Sequence, residues 1–202
     1  MTLLATDRLV LRPPTLADVP RVTQFVGDID VARMLAPVPH PYTEADARWW
    51  IGTQDGAAQK KNGGQPGELV FIATLGGELI GACSHIFGDK AGTAEIGYWL
   101  GKPYWARGYG TEMATALLRH GFTDYGLSRT TVSHMVDNPA SAAIIAKLGF
   151  RPTGRRRIAC VSRAAEVEVK TFALTRTEAE AQGWWHGAGT LDRHGQDPQE
   201  SG

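Results

Sequence analysis

One stretch limits the choice of fold more than any other: Trp105-Ala106-Arg107-Gly108-Tyr109-Gly110-Thr111-Glu112-Met113. It follows an apolar, strand-like run, Glu95-Ile96-Gly97-Tyr98-Trp99-Leu100. It opens a segment in which Met113, Ala116, Leu117, His120 and Gly121 recur at three- and four-residue steps, the period of a helix. A glycine-bearing turn between strand and helix leaves backbone N–H groups unpaired, and the helix dipole adds partial positive charge there. Such a turn binds phosphate without a lysine. Gly108 and Gly110 lack side chains, which lets an anion approach the backbone. A pyrophosphate-bearing ligand is therefore expected. It is not a Rossmann dinucleotide, because position 113 is Met where that fingerprint needs Gly or Ala, and no Walker lysine follows.

The segments before the turn read as an antiparallel meander. Arg8 to Arg12 alternates and stops at Pro13-Pro14, giving a first strand. Thr15-Leu16-Ala17-Asp18 resembles a capping box, and Leu16, Val19, Val22 and Val26 form one helix face. A short helix is expected over Asp30 to Ala36, ended by Pro37, Pro39 and Pro41. Thr43-Glu44-Ala45-Asp46 starts another helix carrying Trp49, Trp50 and Ile51. Asn62 to Gly67 holds turn residues. Leu69 to Leu75, the Gly76-Gly77 hairpin signal and Glu78 to Phe87 give two strands, and Thr93 to Leu100 gives the fourth.

After the turn come a helix from about Arg107 to Tyr125, a strand over Thr130 to Val136, and a helix over Pro139 to Leu148 closed by Gly149. Two strands, Phe150 to Arg163 and Glu166 to Leu174, finish the pattern. The expected fold is α+β (mixed α/β): a largely antiparallel central sheet of about seven strands, flanked by helices. The strand–helix–strand passage requires one parallel pair, strands four and five. If these splay, they open a slot lined by backbone N–H and C=O that suits an amide-bearing, pantetheine-like arm. Residues 1–180 read as a single domain and 181–202 as a C-terminal tail.

Composition excludes other classes. Lys+Arg and Asp+Glu are both 21, a balance that argues against nucleic acid as the main ligand. No apolar run approaches the ~20 residues of a membrane span, and the first residues carry no export signal, so a cytoplasmic protein is expected. Cys83 and Cys160 sit in apolar contexts and read as buried thiols.

The assembled pattern resembles the GNAT N-acetyltransferase superfamily, in its RimJ/RimL-like branch, over roughly residues 6 to 175. The resemblance rests on Thr6 to Arg12, Ala94 to Leu100, Trp105 to Met113, and Asn138-Pro139-Ala140-Ser141 leading to Lys147-Leu148-Gly149-Phe150. One departure is Trp105, which stands where the superfamily loop often has Gln or Arg.

The resemblance implies acetyl-CoA as donor, no metal, and an amine acceptor. It implies that Arg107, Gly108, Tyr109, Gly110 and Thr111 bind the pyrophosphate, and that the pantetheine arm runs beside Ile96, Gly97, Tyr98 and Trp99. Asn138 either bonds the pantetheine amide or serves its own turn. Ser141 either opens its helix or stands near the thioester sulfur and donates a proton to the leaving thiolate. Glu95 is the candidate base for the amine, against a solvated strand carboxylate. His85 and His134 fit hydrogen-bonded structural roles, with a catalytic base as the alternative for either. Arg155-Arg156-Arg157 fits a solvated face, with the adenosine 3′-phosphate as its alternative.

The acceptor stays open between a protein N-terminal α-amine and a small amine such as an aminoglycoside, polyamine or amino acid. Asp28, Asp30, Glu44 and Asp46 could supply an acidic cleft that favours a polyamine or aminoglycoside, but they serve equally as helix-start residues. A non-catalytic acetyl-CoA-binding module is the remaining alternative. A homodimer is compatible with the resemblance.

Overall fold

The structure, a computed structural model, describes residues 2–54, 60–61 and 65–186 of the 202-residue chain. The 62–64 part of the Asn62 to Gly67 turn and the 187–202 part of the tail lie outside the described residues. An eight-stranded sheet runs in the order β1-β2-β5-β6-β7-β8-β10-β9, one strand more than the sequence suggested. Its strands are β1 (Leu4–Ala5), β2 (Leu9–Arg12), β5 (Glu68–Leu75), β6 (Glu78–Phe87), β7 (Thr93–Leu100), β8 (Arg129–Met135), β9 (Arg151–Cys160) and β10 (Ala165–Thr175). The added strand is β1, two residues long and too short to carry a periodicity of its own. A separate ladder pairs β3 (Lys60–Lys61) with β4 (Gln65–Pro66).

The helices are α1 (Val19–Val26), α2 (Ile29–Ala32), α3 (Glu44–Gly52), α4 (Tyr109–Thr123), α5 (Pro139–Lys147) and α6 (Arg176–Glu180). Local chemistry sets most of their ends. Thr43 and Asp46 form a reciprocal capping box at α3, and Thr15 donates its backbone N–H to Asp18 at 2.8 Å just before α1. Gly76 and Gly77 both have positive φ, as a two-residue hairpin turn requires. The second helix is shorter than the Asp30 to Ala36 expectation. It ends at Ala32, and its exit residues are held from outside: Ser162 Oγ donates to Ala32 O, Val161 N to Ala36 O and Arg163 Nε to Arg33 O.

Side chains along β7 alternate between two cores. Ala94, Ile96, Tyr98 and Leu100 face the cluster built on α4, where Met113, Leu117, Leu118 and Phe122 are fully buried. Burying each of these stabilises by ~1.5–3 kcal/mol. Trp99 faces the other way, toward α1 and α3, with Ile72 and Ala82. Cys83 and Cys160 are buried free thiols. Residues 181–186 belong to the segment read as a tail, yet they include packed side chains. Trp184 and Trp185 pack on the α4 core, the Trp184 indole donates to Leu148 O at 3.2 Å, and Arg119 donates to Trp184 O.

His85 gives this core a pH dependence. It is fully buried between β6 and α4, and a Cβ placed on Gly121 would come within 2.6 Å of its ring. Burial pushes its pKa down to about 3; nearby His120 adds to this and the Leu117 backbone opposes it. The unfolded chain therefore takes up this proton first, near pH 6.5, and the folded chain only near pH 3. Stability from a neutral His85 is present above pH 6.5 and falls as pH drops, by up to ~1.4 kcal/mol per pH unit. Denaturant unfolding of His85→Leu is expected to show a flatter loss of stability between pH 6.5 and 4.5. Parallel pH curves for the two proteins would contradict this.

Candidate active site

The glycine turn sits where β7 hands over to α4. Its entry is pinned by Trp105, whose indole N–H donates to Leu100 O at 2.8 Å. Ala106 has φ +58 and Gly108 φ +84, so the backbone turns twice through the left-handed region before the helix starts. Gly108 is the N-cap of α4, and Glu112 N closes the first turn on Gly108 O. The N–H groups of Gly108, Tyr109, Gly110 and Thr111 are the four that a helix start leaves without intrahelical partners. Four such N–H groups in one turn make a cradle that can receive a polyanion such as a diphosphate.

The two glycines do different work. Gly108 is exposed and needs its positive φ. Gly110 is buried, and a Cβ there would come within 2.7 Å of Ile144 Cδ1 on α5. The bare Cα at 110 admits Ile144, a packing reason for glycine that adds to the expectation of close ligand approach. Thr111 is half-buried in the same turn, and Arg107 is exposed.

Arg8, at the entry to β2, reaches this turn. Its Nε and Nη2 both meet Glu112 Oε2, at 2.7 and 2.6 Å, and its Nη1 donates to Arg107 O at 3.1 Å. The guanidinium lies 4.5 Å over the ring of Tyr109, which is buried beneath it. The Arg8 backbone N–H and the Thr6 hydroxyl donate to Glu112 Oε1 at 2.9 and 2.5 Å. Burial alone would raise the Glu112 pKa, but the bonds from Thr6 and Arg8 outweigh it and hold it below its ordinary value.

Beside the turn the sheet opens. β7 and β8 pair in parallel only at Thr93–Arg129, Ala94–Thr130 and Glu95–Thr131. Beyond these, β7 continues its ladder with β6 to Leu100 and β8 continues with β10 to Met135, but the two no longer pair with each other. Ile96, Gly97, Tyr98 and Trp99 thus border a gap with peptide groups turned toward it. An extended arm bearing amides fits such a gap in the manner of an added strand.

On the α4 face, one contact bridges the gap. Tyr98 Oη and Ser141 Oγ lie 2.9 Å apart. Burial pushes the Tyr98 phenol up to about 12, with the Ser141 bond pulling the other way, so the phenol stays protonated at neutral pH. Ser141 is in the first turn of α5, and its N–H is taken by Asn138 Oδ1 at 3.0 Å. Asn138 is therefore the helix N-cap, which leaves its Nδ2 as the group available to a ligand.

Glu95 stands on the opposite face, shared with Gly97 and Trp99. Ser133 Oγ donates to Glu95 Oε1 at 2.8 Å, and Arg156 Nη2 lies 3.8 Å from Oε2. Glu95 is half-buried and lines a groove of about 390 Å³ with Thr93, Thr131, Ile86 and Arg129. Thr93, Glu95, Arg129 and Thr131 are among the paired residues, so this groove lies over the closed end. Glu95 stands at the fork, where a carboxylate can accept a proton from an amine that reaches the start of the gap.

Other residues resolve into structural roles. His134 stacks on Phe172 and its Nδ1 lies 2.8 Å from Met135 O. Arg155 and Arg157 pair with Glu168 and Glu166 across the β9–β10 hairpin. Asp28 caps α2, Asp30 meets Lys102 at 2.6 Å, Asp46 caps α3 and Glu44 meets Arg48. Among the described residues no group of three His, Cys, Asp or Glu side chains could hold a metal ion, and no helix is long and apolar enough to cross a membrane. Sequence reasoning missed the Tyr98–Ser141 pair, Ser133 and Arg8–Glu112. Each joins elements far apart in the chain, and only Glu112, four residues past Gly108, had a local cue.

The model of the acetyltransferase (GNAT) domain matches residues 8–151. The chain belongs to the GNAT acetyltransferase family. It is an acyltransferase, and acetyl-CoA is the donor that GNAT enzymes use. Among curated relatives, this GNAT chain is 28% identical over 180 residues to an uncharacterized N-acetyltransferase, p20, of Bacillus licheniformis, covering 88% of this chain and 98% of that protein. Its fold matches Mycobacterium smegmatis RimJ, solved with a CoA disulfide, at a TM-score of 0.76 and 20% identity, over 92% and 90% of the two chains. It also matches RimL, a ribosomal alpha-N-protein acetyltransferase solved with coenzyme A, at a TM-score of 0.75 and 20% identity, over 88% and 99%.

Proposed function

We propose that this enzyme transfers the acetyl group of acetyl-CoA to the N-terminal α-amine of a peptide or protein, by direct attack in a ternary complex. The observation that carries this reading is the two-sided gap between β7 and β8, with the Glu95 carboxylate on one face and the Tyr98–Ser141 hydroxyl pair on the other. Acetyl-CoA, when bound, supplies an activated thioester. Backbone N–H groups of Gly108 to Thr111 hold the diphosphate, and the Ile96 to Trp99 edge holds the amide arm, with a β7 N–H polarising the carbonyl oxygen.

Glu95 faces the incoming amine and takes its proton as the N–C bond forms and the C–S bond breaks. An α-amine has a pKa of ~8 against ~10.4 for lysine, so an α-amine asks less of its base than a lysine does. Ser141 meets the departing sulfur. A thiolate with a pKa of ~8.5 is a weak base beside a serine hydroxyl or a phenol raised to about 12. Ser141, backed by Tyr98, therefore stabilises the leaving charge by hydrogen bonding and does not surrender its proton.

The acceptor reading is favoured by the acidic side chains near the first helices. Asp28, Asp30, Glu44 and Asp46 are all committed to caps or ion pairs, which removes the obvious seat for a polyamine or aminoglycoside. RimL acts on a protein α-amine, in keeping with the same reading. The test is CoA-thiol release with short peptides, spermidine, aminoglycosides and free amino acids side by side. Peptides with a free N-terminus are expected to exceed every small amine in kcat/KM by about 10-fold or more. Faster turnover of a small amine would overturn the acceptor assignment while keeping the chemistry. Coenzyme binding with no thiol release from any amine would favour a binding module instead.

A further inference from the structure

Glu112 is out of place by charge alone. It lies in the first turns of α4, beside the N–H cradle read as the diphosphate seat, where a carboxylate would oppose an incoming anion. Arg8 offsets it. Two of the five Arg8 N–H groups are spent on Glu112 Oε2 and one on Arg107 O. Two N–H groups remain, on a side chain 45% exposed. The guanidinium is held flat over Tyr109 and borders the turn closely enough that a Cβ on Gly108 would come within 3.3 Å of Nη2. Three contacts thus fix its plane in advance, which removes much of the entropic cost of engaging an anion.

We propose that Arg8 is a coenzyme-binding residue, whose two remaining N–H groups donate to the diphosphate seated at the start of α4. The assignment rests on the acetyl-CoA reading above. It makes β2 part of the donor site, although Arg8 lies 99 positions before Arg107 in the chain. Glu112 and Thr6 then act as the holder that aims the guanidinium rather than as ligands.

Calorimetric dissociation constants for CoA and 3′-dephospho-CoA test this, on the full chain, with thermal unfolding recorded for each variant. Arg8→Gln is expected to weaken both ligands equally, by roughly 10- to 100-fold, and to reduce the dependence of affinity on salt. Arg8→Lys should recover part of the loss, because it restores charge without the fork. Glu112→Gln keeps an oxygen for Thr6 and the Arg8 backbone but sets an amide NH2, a donor, against Arg8 Nε and Nη2 while removing one negative charge. The lost aim and the lost repulsion oppose each other, so CoA affinity should fall clearly less than in Arg8→Gln, by no more than about 3-fold. Equal weakening by Arg8→Gln and Glu112→Gln would mean a strut only and would overturn the proposal. So would unchanged affinity in Arg8→Gln, or a loss confined to CoA and absent for 3′-dephospho-CoA, which would move Arg8 to the 3′-phosphate. If the unaltered chain binds neither ligand, the acetyl-CoA reading and this proposal fall together; the other outcomes bear on Arg8 alone.

Discussion

Gly108→Val is expected to abolish measurable coenzyme A binding while the protein stays folded. Gly108 has φ +84 at the N-cap of α4, a conformation a β-branched residue adopts only under strain. The strain costs ~1–3 kcal/mol, a minor share of the ~5–15 kcal/mol that keeps a domain folded. Binding suffers more, for two reasons. The new Cβ would stand 3.3 Å from Arg8 Nη2 and push the guanidinium aside by a few tenths of an ångström, and the added methyl groups would crowd the exposed turn into which the diphosphate must fit. Losing several N–H bonds to a charged group, each worth ~1.5–3 kcal/mol, predicts more than about a 100-fold loss of affinity. Calorimetry and a thermal melt decide it: affinity within about threefold of the unaltered protein would show that the diphosphate sits elsewhere. Gly110→Ala should behave differently. It strikes Ile144 at 2.7 Å and should lower stability before it lowers affinity.

Glu95→Gln is expected to lower kcat by about 100-fold or more, the usual scale for losing a general base. A glutamine oxygen can still accept the 2.8 Å bond from Ser133, so the side chain keeps its place and loses only its basicity. CoA affinity should stay within about twofold, because Glu95 lies on the face of β7 away from Tyr98 and Ser141. Because the proton is taken as the N–C bond forms, the deficit should persist as pH rises past ~8, where an α-amine is already neutral. Rate–pH profiles for the two proteins with one peptide acceptor measure this directly. Full activity in Glu95→Gln would reduce Glu95 to a strand carboxylate and leave positioning as the source of the rate.

Much of the fold was written in local signals. The Thr43–Asp46 box, the Gly76-Gly77 hairpin and the strand–turn–helix around Gly108 each depend on residues within a few positions of one another, and each formed as expected. The parallel pair followed from element order, while its opening was a condition that order did not decide. What the sequence concealed was contact between distant side chains. Tyr98 meets Ser141 across 43 positions and Arg8 meets Glu112 across 104. No periodicity encodes either pair, since both depend on how α5 and β2 dock against α4 and β7. The reason for Gly110 was hidden in the same way, because Ile144 belongs to another helix. The packing of Trp184 and Trp185 on the α4 core, within the segment read as a tail, was likewise hidden.

The central claim is direct acetyl transfer across the β7–β8 gap. It is tested most directly by CoA-thiol release from acetyl-CoA, measured with and without a peptide bearing a free N-terminal amine. Thiol release is expected to require the peptide and to match acetylated peptide one for one. Release at the same rate without any amine, or a stoichiometric burst of CoA before the peptide is added, would contradict it.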